Sequence, residues 1–131
     1  MPRITGEFEV RMSPQPPEAG GGPGRMLLDK RYHGPLDATS VGQMLAVRTA
    51  VEGSAGYVAI ETVTGTLEGR AGSFSLQHSG TMDRGRPSLV VTVIPDSGSD
   101  ALHGLTASMA IRIEKGGKHF YDFDYVLPVS E

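Results

Sequence analysis

Residues 53–86, GSAGYVAIETVTGTLEGRAGSFSLQHSGTMDRGR, hold two long runs of β-type residues joined by Glu68-Gly69 and closed by Arg84-Gly85. Pairs of this X-Gly kind supply the positive φ that a tight hairpin turn demands. With Glu68 and Gly69 as the two loop residues, Leu67 pairs with Arg70. Counting back places Val63 opposite Phe74, Glu61 opposite Leu76 and Ala59 opposite His78. Side chains alternate across a strand, so one face carries Tyr57, Ala59, Glu61, Val63, Phe74, Leu76 and His78. The other carries Val58, Ile60, Thr62 and Thr64 with Ser73, Ser75, Gln77 and Ser79, half apolar and half hydroxyl. The first face is expected to be buried, which sends Glu61 and His78, diagonal neighbours on adjacent strands, inward among apolar groups.

The same alternation extends in both directions along the chain. Ile4 to Met12 sets Ile4, Phe8, Val10 and Met12 against Thr5, Glu7, Glu9 and Arg11, the pattern of a half-buried first strand. Ser13 to Gly24, rich in proline and glycine, is expected to be a mobile loop. No helix pattern and no Lys-Ser or Lys-Thr pair follows it, so it lacks what a phosphate-cradling loop requires. Arg25 to His33 forms a second strand with Met26, Leu28, Lys30 and Tyr32 on the core face, leaving Lys30 facing in. After Gly34-Pro35, Asp37 to Thr49 returns with Thr39, Val41, Gln43, Leu45 and Val47 as its larger-residue face and small residues opposite. Small residues on a strand mark close packing by another surface, and a subunit contact is one such surface.

Beyond the central hairpin, Ser88 to Ile94 is a sixth strand dense in β-branched residues. Asp100 to Gly104 suits one turn of helix capped by Ser99. Leu105 to Glu114 and the final strand, with Tyr121, Phe123, Tyr125 and Leu127 on its apolar face, are joined by a three-residue loop, Lys115-Gly116-Gly117. That register sets Arg112 near Asp122 on the solvent face. The expected fold is all-β, an eight-stranded antiparallel up-and-down barrel in which the last strand pairs with the first. Closure removes both sheet edges, and a barrel of this size either fills with side chains or holds one small ligand.

Composition narrows the function. The 131 residues suit one domain, 1–131, with one core. There is no cysteine, which rules out disulfides, iron–sulfur clusters and thiolate zinc sites and fits a reducing, cytoplasmic setting. No apolar run approaches the roughly 18 residues that span a bilayer. A net charge of -3 leaves no excess of basic groups to neutralise phosphates, and tryptophan is absent, so nucleic acid is not an expected partner. Histidines at 33, 78, 103 and 119 include no His-x-His pair, so neither a metal nor any other cofactor is expected.

Three blocks carry a family resemblance: GSAGYVAIE (53–61), GSFSLQHSGTMDRG (72–85) and VIPDSGSDALHGL (93–105). With them the chain resembles, from Phe8 to Leu127, a bacterial family known as domain of unknown function 3224. The resemblance implies an eight-stranded barrel related in shape to allene oxide cyclase. It implies no catalytic residues, since the family has no established activity.

The residues that stand out are therefore the interior polar set Lys30, Tyr57, Glu61 and His78, with Gln43, Tyr121 and Tyr125 as further lining. Ionisable groups on apolar faces are costly to bury unless paired, and for that reason they point to function. The leading expectation is that a small apolar or amphipathic molecule binds inside the barrel, its polar end toward Glu61 and His78. A second is an isomerase or cyclase in which Glu61 and His78 form an acid–base pair. A third is a homo-oligomeric structural protein whose filled barrel binds no ligand, with Lys30, Glu61 and His78 neutralising one another to set strand register.

Overall fold

The Glu68-Gly69 turn forms with both residues at positive φ, 47° and 83°, the mirror-image geometry whose twist matches that of the flanking strands. The register follows: Leu67 faces Arg70, Val63 faces Phe74, Glu61 faces Leu76 and Ala59 faces His78. The structure, a computed structural model, describes residues 2–17 and 19–128.

The strands are β1 (Arg3–Pro14), β2 (Gly24–Tyr32), β3 (Leu36–Arg48), β4 (Ala55–Leu67), β5 (Arg70–Asp83), β6 (Arg86–Val93), β7 (Thr106–Ile113) and β8 (His119–Val126). They pair antiparallel in chain order, and β8 closes on β1 to complete the barrel. One turn of 3-10 helix, η1 (Asp100–Leu102), lies between β6 and β7. Glu114 and Lys118 bond across the β7–β8 connection, leaving the expected three-residue loop. Arg112 meets Asp122 at 2.8 Å outside the barrel.

The two halves of the barrel differ. Toward the β2–β3 and β4–β5 turns the interior is packed, with Leu36, Leu67, Phe74, Tyr121 and Phe123 all buried. Phe74, Phe123 and Tyr125 stack with ring centroids 5.8 and 5.9 Å apart. Leu102 of η1 and the adjoining Leu105 plug that end. Each such side chain contributes about 1.5–3 kcal/mol by leaving water. Toward the other end the wall becomes uneven. The pairing of β1 with β8 runs only as far as Phe8 opposite His119, while β1 continues along β2 to Pro14. Among the described residues β6 pairs with β7 only at Val91–Met109 and Thr92–Ser108, while Arg86 to Val90 pair with β5 alone. Strands β1–β6 thus extend beyond the short β7–β8 hairpin and leave an open mouth.

Three expectations are corrected. On β3 the small face, Ala38, Ser40, Gly42, Met44 and Ala46, points inward and is no subunit contact, while Thr39, Val41, Gln43, Leu45 and Val47 face out, so Gln43 does not line the interior. The interior at that level is already occupied by side chains from β2, β4 and β8, and only small residues fit. A Cβ on Gly42 would lie 2.4 Å from the Ile60 carbonyl oxygen and 2.7 Å from the Glu61 Cα. Ser99 precedes η1 but its hydroxyl does not cap it; it bonds to the Ser73 hydroxyl at 2.8 Å and tethers the loop to β5. Ser13, Pro14 and Gly24 belong to strands, since Ser13 and Pro14 pair with Leu27 and Met26, which shortens the first connection to 15–23. Within it Glu18 lies outside the described residues.

Candidate functional site

Halfway along the barrel, three strands deliver polar groups to a carboxylate on a fourth. Lys30 and Tyr32 come from β2, Ser40 from β3, Glu61 from β4 and His78 from β5, all on inward positions fixed by strand parity. Lys30 and Ser40 are cross-strand partners, and Gly42 directly faces Glu61, so the small β3 residues are what admit the carboxylate. Tyr32 donates to Glu61 Oε1 at 2.5 Å and Ser40 to the same oxygen at 2.8 Å. Lys30 Nζ donates to Oε2 at 2.6 Å, and His78 Nε2 lies 2.7 Å from it. Glu61 is fully enclosed, with side-chain exposure of 0%, against 7% for Lys30 and 4% for His78. The ammonium also lies 5.4 Å from the centroid of the Phe8 ring and 5.9 Å from that of Tyr32.

Burial alone would push the Glu61 carboxyl up. The hydrogen bond from His78, the charge of Lys30 and the bonds from Lys30 and Tyr32 outweigh it and bring the pKa down to about 2. At neutral pH Glu61 is therefore a carboxylate that only accepts, so His78 Nε2 carries the proton it donates, and Nδ1 is the remaining ring nitrogen. Burial and the adjacent Glu61 charge raise the Tyr32 phenol well above its ordinary value. Among the described residues no buried side-chain nitrogen or oxygen lacks a hydrogen-bond partner.

Of the seven residues singled out in the sequence, the structure brings Lys30, Glu61 and His78 into direct contact. Tyr57 is close by, half-buried on the inward face of β4 opposite Gly80, its phenol raised by burial and by the charge of Glu61. Tyr121 and Tyr125 point inward but lie in the packed half. The Tyr121 hydroxyl donates to the His33 carbonyl at 2.7 Å and accepts from the Leu36 amide at 3.1 Å, pinning the β2–β3 turn. Tyr125 bonds to the Glu68 carboxylate. Gln43 is on the outer wall, where its carbonyl accepts from Arg25 at 3.2 Å. Tyr32 and Ser40 complete the cluster. The alternation of the second strand already placed Tyr32 beside Lys30 on the inner face, whereas Ser40 needed the β2–β3 register.

Above the cluster, toward the mouth, the inward side chains are apolar and incompletely covered. Val10, Met26, Met44, Tyr57 and Ile111 are half-buried, and Met12 and Met82 at the rim are exposed. A separate shallow trough of ≈ 1080 Å³ lies on the outer wall, crossing from Arg11 on β1 to Gln77 on β5. The histidines are dispersed: His33 pairs with Glu9 at 2.8 Å, and His119 packs against Phe8 with ring centroids 5.3 Å apart. Among the described residues no three His, Asp or Glu side chains converge as metal ligands would.

A solved structure described as a protein with unknown function from the DUF3224 family of Shewanella oneidensis MR-1 superposes on this chain with a TM-score of 0.93. The two share 48% sequence identity, and the match covers 99% of each chain. No curated protein matches the chain. The family model described as protein of unknown function (DUF3224) matches residues 4–125. The chain is therefore a member of the DUF3224 family.

Proposed function

We propose that the protein binds a small amphipathic molecule in the open half of its barrel, the polar end resting on Lys30 and His78 and the apolar part against the methionine-lined wall. The observation that carries this reading is the division of the interior at the level of Glu61. Below it the barrel is filled with aromatic and aliphatic side chains. Above it the inward side chains are apolar and still reachable by solvent. Four of these residues are Met12, Met26, Met44 and Met82, unbranched and polarisable side chains that adapt to varied apolar shapes. At the floor, Lys30 and His78 retain slight exposure where Glu61 has none. The ammonium has three N–H groups and gives one to Glu61, so it can offer another to an oxygen acceptor on the ligand.

The geometry favours binding over acid–base catalysis. A carboxylate held by four donors, with a pKa brought down to about 2, is a poor proton acceptor at neutral pH, which fits Glu61 to orienting Lys30 and His78.

The experiment is a titration with sodium dodecanoate followed by NMR of methyl-13C-methionine protein. Saturable shifts of the Met26 and Met44 methyl signals, with Met109 below them moving less, are expected. Unchanged methyl signals at millimolar dodecanoate and with a neutral analogue, dodecanol, would leave the barrel as a structural unit.

A further inference from the structure

We infer that the outer face of β3–β5 is the contact between two copies of this chain, packed wall to wall with their barrels crossed. The described outward residues from Thr39 to Val47 on β3, Val58 to Thr64 on β4 and Gln77 to Thr81 on β5 include no charged side chain. At the centre of this face Val41 is 66% exposed and Ile60 54%, and Leu45 and Val58 beside them are also exposed. Leu27 on β2 and Val90 on β6 extend the apolar surface on either side. The charges stand around it: Arg11, Arg25 and Asp29 along the β1–β2 side, Asp83 and Arg86 at the far corner. A charge-free centre with a charged rim is the composition of a protein–protein interface, and a bare sheet face of this kind is otherwise an aggregation hazard.

Extent and shape point to a second copy. With strands about 4.8 Å apart and a rise of about 3.3 Å per residue, the face from Leu27 to Val90 measures roughly 20 by 30 Å. That is about 600 Å² in projection and more in accessible area, the order of the ~800 Å² that each partner contributes to a standard interface. A barrel wall is convex around its circumference. The outer trough, crossing five strands from Arg11 to Gln77, makes this wall concave along the strands. Such a saddle fits an identical saddle turned through about 90°, an arrangement produced by a two-fold axis lying in the interface and within the range of orthogonal sheet packing. Thr62, Gln77 and Ser79 supply neutral hydrogen-bonding groups that such a contact can pair without burying charge.

The test is sedimentation velocity of the full chain at about 50 μM, a concentration at which an interface of this size associates. The wild type is expected to run at twice the monomer mass. Ile60→Lys and Val41→Glu are expected to weaken dimerisation by about a hundredfold or more, because each sets like charges facing across the two-fold axis. Val126→Lys, exposed on β8 and away from this face, should leave the dimer unchanged. A monomeric wild type would overturn the inference and give the face to a different protein. Folded Ile60→Lys and Val41→Glu proteins that remain dimeric would overturn it as well. If neither variant folds, small-angle scattering of the wild type decides, since crossed barrels joined at β3–β5 and barrels joined elsewhere differ in their distance distributions.

Discussion

Lys30 and Ser40 are cross-strand partners, yet they donate to different oxygens of one carboxylate, Lys30 to Glu61 Oε2 and Ser40 to Oε1. The side chain of Glu61 is thereby held at both ends, with Tyr32 doubling the contact on one oxygen and His78 on the other. The cluster ties β2, β3, β4 and β5 together at mid-height.

Replacing Glu61 by Gln keeps the shape but removes the charge that balances Lys30. Loss of one partner from a buried pair costs about 3–5 kcal/mol, because the remaining ion stays in a medium that solvates it poorly. Urea denaturation of Glu61→Gln should show a midpoint lowered accordingly with an unchanged slope. A shift below 1 kcal/mol would mean that Lys30 escapes to water through the mouth.

Acid should weaken the fold through the same group. The folded-state pKa of Glu61, about 2, lies below the ordinary value of 4.5, so its ionised form stabilises the protein at pH values above 4.5. This contribution, about 3 kcal/mol for a displacement of that size, is lost as the pH falls from 4.5 through 2. In Lys30→Met the charge of Lys30 no longer depresses the carboxyl, and the decline in stability between pH 5 and 2 should be shallower. Unfolding free energies measured across that range check the slope.

Tyr121→Phe removes the hydroxyl that serves the His33 carbonyl and the Leu36 amide. Leaving such groups unpaired costs about 1–3 kcal/mol, a fall of several degrees in melting temperature for a domain of this length. Tyr125→Phe, whose partner is the exposed Glu68, should cost less. Thermal melts of the two variants side by side give the comparison.

Gly42→Val would force a Cβ to within 2.4 Å of the Ile60 carbonyl oxygen and against Glu61. A clash with backbone is relieved only by moving a strand, and about 3 kcal/mol or more of destabilisation is expected. At Gly56 the nearest atom to a Cβ is 3.9 Å away, so Gly56→Ala should be tolerated. Expression level and urea midpoint separate the two.

The central hairpin and the last one could be read from the chain because each depends on a short turn. A two-residue loop at Glu68-Gly69 leaves one register, and parity then assigns every side chain on β4 and β5 to a face. This is why Glu61 and His78 could be placed inside and adjacent. The inner face of the third strand is set by something that its own residues do not contain. Which face of β3 is buried depends on the volume filled by Tyr32, Glu61 and Tyr121, which come from elsewhere in the sequence. By size alone Val41, Leu45 and Val47 are the better core candidates of this strand, yet they face out. Gln43 shares their outward face, and Ser40 meets Glu61 only through the β2–β3 register that sets it opposite Lys30.

The short ladder joining β6 to β7 gives the cylinder a clasp. Two residue pairs, Val91–Met109 and Thr92–Ser108, fasten this seam, where every other adjoining pair of strands shares six or more. Main-chain amides next to the clasp should exchange with deuterium sooner than those of the β4–β5 hairpin, since fewer bonds must break to free them. Pro87, lacking an N–H, blunts the free margin of β6 against stray strands. Opening of the cylinder is expected to begin at this seam, while the β2–β5 wall stays joined around Glu61.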